Sequence, residues 1–218
     1  MGIRKALLDL LFPPKCCFCR EFLSRGESKT CASCKDALPH CREGASIQAG
    51  EGHVFTVSAF YYDGLVRDSI HRYKFEGLRS YSAAYADFLA PAIACHLTGR
   101  YDILSWVPVS QKRLRTRGYD QAKLLAKATA PLLDTTAIET LQKVKDVKAQ
   151  SGLGGPAERR ANISGAYQAI DPEGIAGKRI LLIDDVLTTG ATLSECANCL
   201  LSAGAKEVLC ATLARSSV

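Results

Sequence analysis

Apolar and polar positions alternate along most of the chain in a way that predicts strands and helices in turn. Apolar runs rich in β-branched and aromatic residues predict strands at 54–62, 101–109, 179–185 and 207–214. Segments with a helical spacing of apolar residues predict helices at 79–97, 119–133 and 192–205. Because strands that alternate with helices form parallel sheets, we expect an α/β fold with a parallel sheet flanked by helices.

The first 44 residues interrupt this pattern and predict a separate N-terminal module. A short amphipathic helix is expected there, because apolar residues share one helix face at Ile3, Ala6, Leu7, Leu10 and Leu11. Six of the ten cysteines follow within the first 41 residues. The Gly-rich stretch EGASIQAGEG, at 43–52, predicts a linker. The predicted domains are therefore 1–44, a helix with a four-cysteine module, and 45–218, the α/β domain.

The N-terminal apolar run predicts a cytoplasmic protein rather than an exported one. Asp9 lies inside the run, and no small-residue cleavage site follows it. No segment reaches the roughly 18 consecutive apolar residues that a membrane-spanning helix needs.

Four N-terminal cysteines have the spacing of a metal site. Cys16 and Cys19 form one C-x2-C pair, and Cys31 and Cys34 form a second pair after eleven intervening residues. Two such pairs present four thiolates to one tetrahedral Zn²⁺ ion, which predicts a small zinc-ribbon-like module with structural zinc. A disulfide pair and an iron–sulfur cluster are the alternatives.

The remaining cysteines predict no second metal site. Cys17 and Cys41 lie outside the paired spacing, as reserve ligands or free thiols. Cys95, Cys196 and Cys210 are expected in the core, because cysteine behaves as a small hydrophobic residue.

The segment ILLIDDVLTTGAT, residues 180–192, predicts a binding site for a phosphorylated ribose. A buried strand ends at Asp184 and Asp185, and the turn that follows opens a helix. Backbone N–H groups at a helix start converge on an anion, and a glycine at 190 permits a positive φ. The two carboxylates would accept hydrogen bonds from ribose hydroxyls or help hold Mg²⁺. The expected anion contacts are Thr188, Thr189, Gly190, Ala191 and Thr192.

Positive charge is concentrated in the middle of the chain. The net charge is +6, and residues 101–160 contain 11 Lys/Arg against 6 Asp/Glu, a net +5. Such a block suits an anionic ligand or a nucleic acid. Arg113, Arg115 and Arg117 alternate, so in an extended segment their side chains would point the same way and could contact a nucleic acid.

A long stretch without helical or strand periodicity runs from 141 to 165 and is rich in Gly, Lys and Arg. A loop of this length in a compact domain is usually functional, so it is a candidate lid. The chain lacks the G-x-x-x-x-G-K-[ST] motif of P-loop nucleotide hydrolases and the G-x-S-x-G motif of α/β-hydrolases.

The segment ILLIDDVLTTGAT resembles the phosphoribosyl-pyrophosphate (PRPP) motif of type I phosphoribosyltransferases. VPVSQKRLRTRGYDQAKLLAKA, residues 107–128, and the N-terminal CFC and CASC together resemble the ComF family of competence-associated proteins. The resemblance covers essentially the full chain. Asp120 stands where the family commonly has asparagine, which puts an extra negative charge near the implied pyrophosphate loop.

The resemblance implies a role for each part of the site. Asp184 and Asp185 would bind the ribose hydroxyls, and 188–192 would bind the 5′-phosphate. Val109, Ser110 and Arg113 would form the pyrophosphate loop, and Lys74 would face the ligand. A lid would run through Gln150, Arg159 and Asn162.

The implied function is PRPP binding by a phosphoribosyltransferase-type protein that acts in DNA uptake and natural transformation. If the site is catalytic, Mg²⁺ and the three arginines would stabilise the departing pyrophosphate, and the acceptor is not specified by the sequence. The alternatives are an accessory protein that binds single-stranded DNA and a PRPP-sensing regulator without turnover. Competence-machinery proteins are the implied partners.

Overall fold

The fold is a parallel sheet with one antiparallel edge strand, seen in a computed structural model that describes residues 13–49, 52–145 and 165–216. The strands are β1 (Ala45–Ala49), β2 (Gly52–Tyr61), β3 (Ile103–Trp106), β4 (Leu141–Lys143), β5 (Tyr167–Ala169), β6 (Arg179–Leu187) and β7 (Glu207–Arg215). Five of them form the central sheet in the order β1-β2-β7-β6-β3. Only the β1–β2 pair in this sheet is antiparallel, and β4 and β5 form a separate antiparallel pair.

Seven described α-helices surround the sheet. They are α1 (Ala32–Ala37), α2 (Gly64–Phe75), α3 (Tyr81–Leu97), α4 (Gln111–Arg117), α5 (Gln121–Thr129), α6 (Pro172–Ile175) and α7 (Ala191–Ser202), and a 3₁₀ turn, Ala130–Leu133, follows α5. Helices α3 and α5 pack on one face of the sheet, and α7 packs on the other face. The predicted α/β class, with helices on both faces of a parallel sheet, is confirmed.

Strand β6 separates two hydrophobic cores. Leu181 and Ile183 belong to the core that includes α3 and α5, whereas Ile180 and Leu182 belong to the core that includes α7. Successive side chains of a strand point to opposite faces, so both cores draw on one apolar run. The same alternation continues to the carboxyl end of the strand, where it places Asp184 and Asp185 on opposite faces.

The cysteine module packs directly against the α/β domain. Cys16, Cys17 and Phe18 are buried in the same core as α3, and the Phe18 ring makes edge contacts with Phe60 and Phe88. The linker expected at 43–52 is wrong in part, because residues 45–49 form strand β1 and pair with β2. The boundary between residues 44 and 45 stays a prediction, and the helix expected at 3–11 lies outside the described residues.

Other local predictions differ from the structure in specific ways. The strand predicted at 101–109 is shorter, at 103–106, and helix α2 was not predicted. Cys196 and Cys210 are buried, but the core position predicted for Cys95 is wrong because its side chain is exposed. None of the described helices is long and apolar enough to cross a membrane.

Candidate functional site

A polar cavity of about 290 Å³ opens at the carboxyl ends of β3 and β6. In a parallel α/β sheet this edge is where ligands bind. The predicted site residues that line the cavity are Lys74, Val109, Arg113, Arg117, Asp184, Asp185, Thr188 and Thr192. The fold thus brings together residues from α2, the segment after β3, and the end of β6.

Asp185 is paired with a cation from helix α2. The Lys74 Nζ lies 2.7 Å from the Asp185 Oδ1, and the two side chains are 20% and 7% exposed. Burial lowers the pKa of Arg117, and the nearby charge of Asp185 partly offsets this effect. Two cationic side chains, Lys74 and Arg117, are therefore close to the Asp185 carboxylate.

Asp184 has a different environment, because it faces the α7 side of β6. Burial and the neighbouring charge of Asp185 raise the pKa of Asp184 to about 8. The two adjacent aspartates therefore lie in different environments, because Asp185 has a cation at 2.7 Å and Asp184 is dominated by desolvation.

The arginine-rich segment is helical, so the extended conformation expected for 113–117 is wrong. Ser110 caps α4 by accepting a hydrogen bond from the Arg113 N–H at 3.3 Å, and Gly118 ends the helix with φ 75°. On a helix, residues four apart share a face. Arg113 and Arg117 accordingly line the cavity, whereas Arg115 is exposed and is not among the lining residues.

Asp120 acts on the backbone beside the cavity. Its carboxylate accepts hydrogen bonds from the Val109 N–H at 3.0 Å and from the Lys123 N–H at 2.9 Å. It therefore caps α5 and ties the loop after β3 to that helix. The extra negative charge predicted near this loop is present, but both of its oxygens are engaged with backbone donors.

The turn between β6 and α7 contains a glycine in the left-handed region, as predicted. Gly190 adopts φ 76° as the residue before α7. A Cβ at this position would lie 3.1 Å from the Ile47 Cγ2, so glycine is required by both conformation and space. Of the predicted anion contacts, Thr188 and Thr192 line the cavity, while Thr189, Gly190 and Ala191 lie in the turn beside it.

Several lining residues were not among the predicted site residues, and the polar ones include Gln121, Lys143 and Tyr167. The Lys143 Nζ donates to the Tyr167 Oη at 3.1 Å, across the β4–β5 pair. Lys143 raises the cavity's cationic side chains to four, against the two aspartates. No local pattern identifies these residues, because their elements meet at the cavity only in the folded chain.

Buried polar atoms without a partner face this cavity. Within the described ranges, the Asp185 Oδ2, the Gln121 Oε1 and the Arg117 Nη1 have no hydrogen-bond partner. All three residues line the cavity. Since buried polar groups are nearly always hydrogen-bonded, these atoms are suited to contact a polar ligand or ordered water.

The segment predicted as a lid is described only at its two ends. Strands β4 and β5 form an antiparallel base for it, so the expectation that 141–165 lacks regular structure is wrong at 141–143. Gln150, Arg159 and Asn162 lie outside the described residues, so their predicted role stays a prediction.

The four predicted metal ligands form a cluster. The Sγ atoms of Cys16, Cys19, Cys31 and Cys34 lie within 4.8 Å of one another, which suits four thiolates around one tetrahedral metal ion. Burial opposes ionisation of Cys16, but hydrogen bonds from the N–H groups of Cys31, Cys19 and Phe18 offset this and lower its pKa to about 7. The residues therefore fit a structural zinc ion.

Cys17 and Cys41 do not belong to this cluster. The Cys17 Sγ lies 3.6 Å from the Thr30 Oγ1, and burial raises the pKa of its thiol to about 12. Burial also raises the pKa of Cys41. The position of both residues outside the four-cysteine cluster disfavours the reserve-ligand interpretation.

Comparisons with known proteins agree with this arrangement. Residues 121–217 match the family model described as "Phosphoribosyl transferase domain". Competence protein F of Haemophilus influenzae is 27% identical and covers 93% of this chain and 97% of its own length. Competence protein ComFC of Bacillus subtilis is 27% identical, with coverages of 89% and 88%. The chain is similar to these ComF-type competence proteins over nearly its full length. DNA utilization protein YhgH of Salmonella typhimurium is 28% identical, with coverages of 94% and 100%.

The range matched by the phosphoribosyl transferase domain model contains α5, β6, α7 and β7. It therefore contains Asp184, Asp185 and the turn before α7. The cysteine cluster, Lys74 and α4 lie before the matched range, so the cavity combines the domain with residues upstream of it.

Proposed function

We propose that this chain is a PRPP-binding ComF protein of phosphoribosyltransferase type that acts in DNA uptake. The observation that carries the proposal is the cavity at the end of β6, which joins two aspartates to four cationic side chains. The names of the relatives, two competence proteins and a DNA utilization protein, support the cellular process. The proposed location is the cytoplasm.

PRPP fits the cavity because it has a phosphate at one end of a ribose and a pyrophosphate at the other. The turn at 188–192 would bind the 5′-phosphate through backbone N–H groups and threonine hydroxyls. Asp184 and Asp185 would accept hydrogen bonds from the ribose hydroxyls. Arg113, Arg117 and the backbone of Val109 and Ser110 would hold the pyrophosphate. A net excess of two positive charges favours this anion over a neutral sugar.

The proposed reaction is transfer of the phosphoribosyl group to a nitrogen nucleophile. The bond between C1 and the pyrophosphate oxygen breaks, its electron pair leaves with pyrophosphate, and the acceptor nitrogen forms the new bond to C1. Mg²⁺ bound with PRPP would neutralise charge on the leaving group. The residues of this chain would position the ribose and stabilise the departing anion, which are electrostatic and orientational contributions.

A second candidate function, binding of single-stranded DNA, is favoured by the surface of α4. This seven-residue helix carries Lys112, Arg113, Arg115 and Arg117 and no acidic residue. Arg115 is exposed outside the cavity, so it is available to a phosphate backbone. Proteins that bind single-stranded DNA often stack its bases on aromatic rings, but the rings of Tyr73 and Tyr119 are buried and do not offer such a surface. A PRPP sensor without turnover is the third candidate.

The test is an assay of pyrophosphate release from PRPP with Mg²⁺, with and without nucleobases as acceptors. Release that depends on an acceptor supports transfer, whereas binding without release in any condition supports a sensor. Fluorescence anisotropy with a labelled single-stranded oligonucleotide, at several salt concentrations, tests DNA binding in wild type and Arg115→Ala. Affinity that falls steeply with salt, and falls further in Arg115→Ala, supports the DNA-binding function.

A further inference from the structure

The backbone of the first cysteine pair is bonded directly to the helix that carries Lys74. The Ser69 Oγ donates to the Cys17 carbonyl oxygen at 2.6 Å. The Arg72 Nη2 donates to the same carbonyl at 3.2 Å and to the Phe18 carbonyl at 2.6 Å. Cys17 and Phe18 are the two residues between the ligands Cys16 and Cys19, so these carbonyls lie inside the metal-binding turn.

The same helix ends at the candidate site. Ser69 and Arg72 are three residues apart on α2 and therefore share a face, and Lys74 follows within the next turn. The Lys74 Nζ contacts the Asp185 Oδ1 at 2.7 Å. The Tyr73 hydroxyl between them donates to the Gln121 carbonyl oxygen at 2.8 Å, which fixes the helix against α5. A helix is rigid over this length, so a shift at Arg72 displaces Lys74 as well.

We propose that Arg72, helped by Ser69, positions Lys74 against Asp185 and thereby couples metal binding in the cysteine cluster to ligand binding in the cavity. Arg72 is a positioning residue in this scheme, because it contacts the metal-binding turn and not the cavity. The proposal rests on the proposed function for the identity of the ligand, PRPP, although the coupling itself involves only this chain's contacts.

The expected sign of the coupling follows from the order of the metal-binding turn. The Arg72 guanidinium and the Ser69 hydroxyl bond to carbonyls of the metal-binding turn, so their geometry depends on how well that turn is ordered. A bound metal fixes the turn that presents the two carbonyls. Metal binding should therefore favour the observed placement of α2, and by linkage PRPP binding should favour metal retention by the same factor.

Calorimetric titration of PRPP with Mg²⁺ into zinc-loaded protein tests the coupling. We expect Arg72→Met to bind PRPP about tenfold more weakly than wild type, within the usual range for coupled sites. Arg67→Met is the matched control, because Arg67 lies on the same helix, is 58% exposed, and forms an ion pair with the neighbouring Asp68 rather than with the metal-binding turn. It should bind within about twofold of wild type.

The effect of PRPP on the rate of zinc release to a zinc-selective chelator distinguishes coupling from a general loosening of the fold. PRPP should slow release from wild type and from Arg67→Met by a similar factor, and should have no effect on release from Arg72→Met. Ser69→Ala serves if Arg72→Met loses zinc during purification. It removes the hydrogen bond to Cys17 together with the one between the Ser69 and Tyr85 hydroxyls, and it should weaken PRPP binding about threefold.

The outcomes separate the coupling from the proposed function. If Arg72→Met and Ser69→Ala retain full zinc content and bind PRPP as tightly as wild type, the coupling is overturned and the proposed function remains intact. If wild type does not bind PRPP, the proposed function fails, and hydrogen exchange of residues 70–76 then decides the coupling. Zinc removal must accelerate that exchange several-fold more in wild type than in Arg72→Met, and an equal acceleration in both overturns the coupling.

Discussion

Removal of the Lys74 ammonium should destabilise the fold, because it leaves the buried Asp185 carboxylate without its ion-pair partner. The loss in free energy of unfolding can be estimated from the geometry of the pair. At 2.7 Å and an effective dielectric constant of about 20, the gross attraction is about 6 kcal/mol. Part of this offsets the desolvation of the two groups. Breaking a buried pair typically costs about 3–5 kcal/mol, but Lys74 is 20% exposed and Arg117 also neutralises Asp185. We therefore expect Lys74→Met to cost about 2–3 kcal/mol.

A double-mutant cycle isolates this interaction. Lys74→Met, Asp185→Asn and the double variant are compared with wild type by urea unfolding at pH 7. The single tryptophan, Trp106, is buried in β3 and reports unfolding by fluorescence. The double variant should recover about 2 kcal/mol relative to the sum of the single changes. Arg67→Met, which removes an exposed pair with Asp68, should cost under about 0.5 kcal/mol. A coupling energy below about 0.5 kcal/mol would refute the inference that Lys74 compensates a buried Asp185.

Three further predictions test the other parts of the structure. Gly190→Ala should lower the free energy of unfolding in urea by about 2–3 kcal/mol. Gly77→Ala should lower it by only about 1 kcal/mol, because Gly77 has a similar φ of 71° but no atom near the position of its Cβ. Equal losses in the two variants would contradict the close contact with Ile47. Elemental analysis should find zinc rather than iron in the wild type and in Cys17→Ser, and no bound metal in Cys16→Ser. Metal loss from both variants would contradict the assignment of the ligands. Arg113→Ala should weaken PRPP binding about tenfold in calorimetry, because Arg113 lines the cavity. Arg115→Ala should bind PRPP within about twofold of wild type, because Arg115 is not among the lining residues. The reverse order would contradict the helical placement of these side chains.

The strands, the main helices and the polar end of β6 could be predicted because each is encoded locally. The apolar run 180–183 ends in two aspartates, and the next glycine marks the turn before α7. The cysteine spacing likewise predicted a cluster that the structure brings within 4.8 Å. In each case the signal lies within one short segment, so no tertiary contact is needed to recognise it.

The errors have two physical causes. Arg113, Arg115 and Arg117 were interpreted by alternation alone, although Ser110 and Gly118 bracket the segment as a helix cap and a helix terminator. The linker at 43–52 contains strand β1, which is only five residues long and too short to show a clear period. The local caps could have corrected the first error, while the second depended on pairing with β2.

The contacts that complete the site depend on tertiary structure. Lys74 lies on a helix that was not predicted, and its partner Asp185 is distant in the sequence. Gln121, Lys143 and Tyr167 reach the cavity from three different elements. The opposite orientations of Asp184 and Asp185 follow from the strand period, but their different environments depend on what packs on each face of the sheet.

The most direct test of the central claim is calorimetric titration of PRPP with Mg²⁺ into the zinc-loaded wild type and the Asp184→Ala, Asp185→Ala double variant. Saturable binding at one site in wild type, lost in a double variant that stays folded and retains its metal, is the predicted result. No binding by folded, metal-loaded wild type, or equal binding by both proteins, would contradict the assignment of this cavity as a PRPP site.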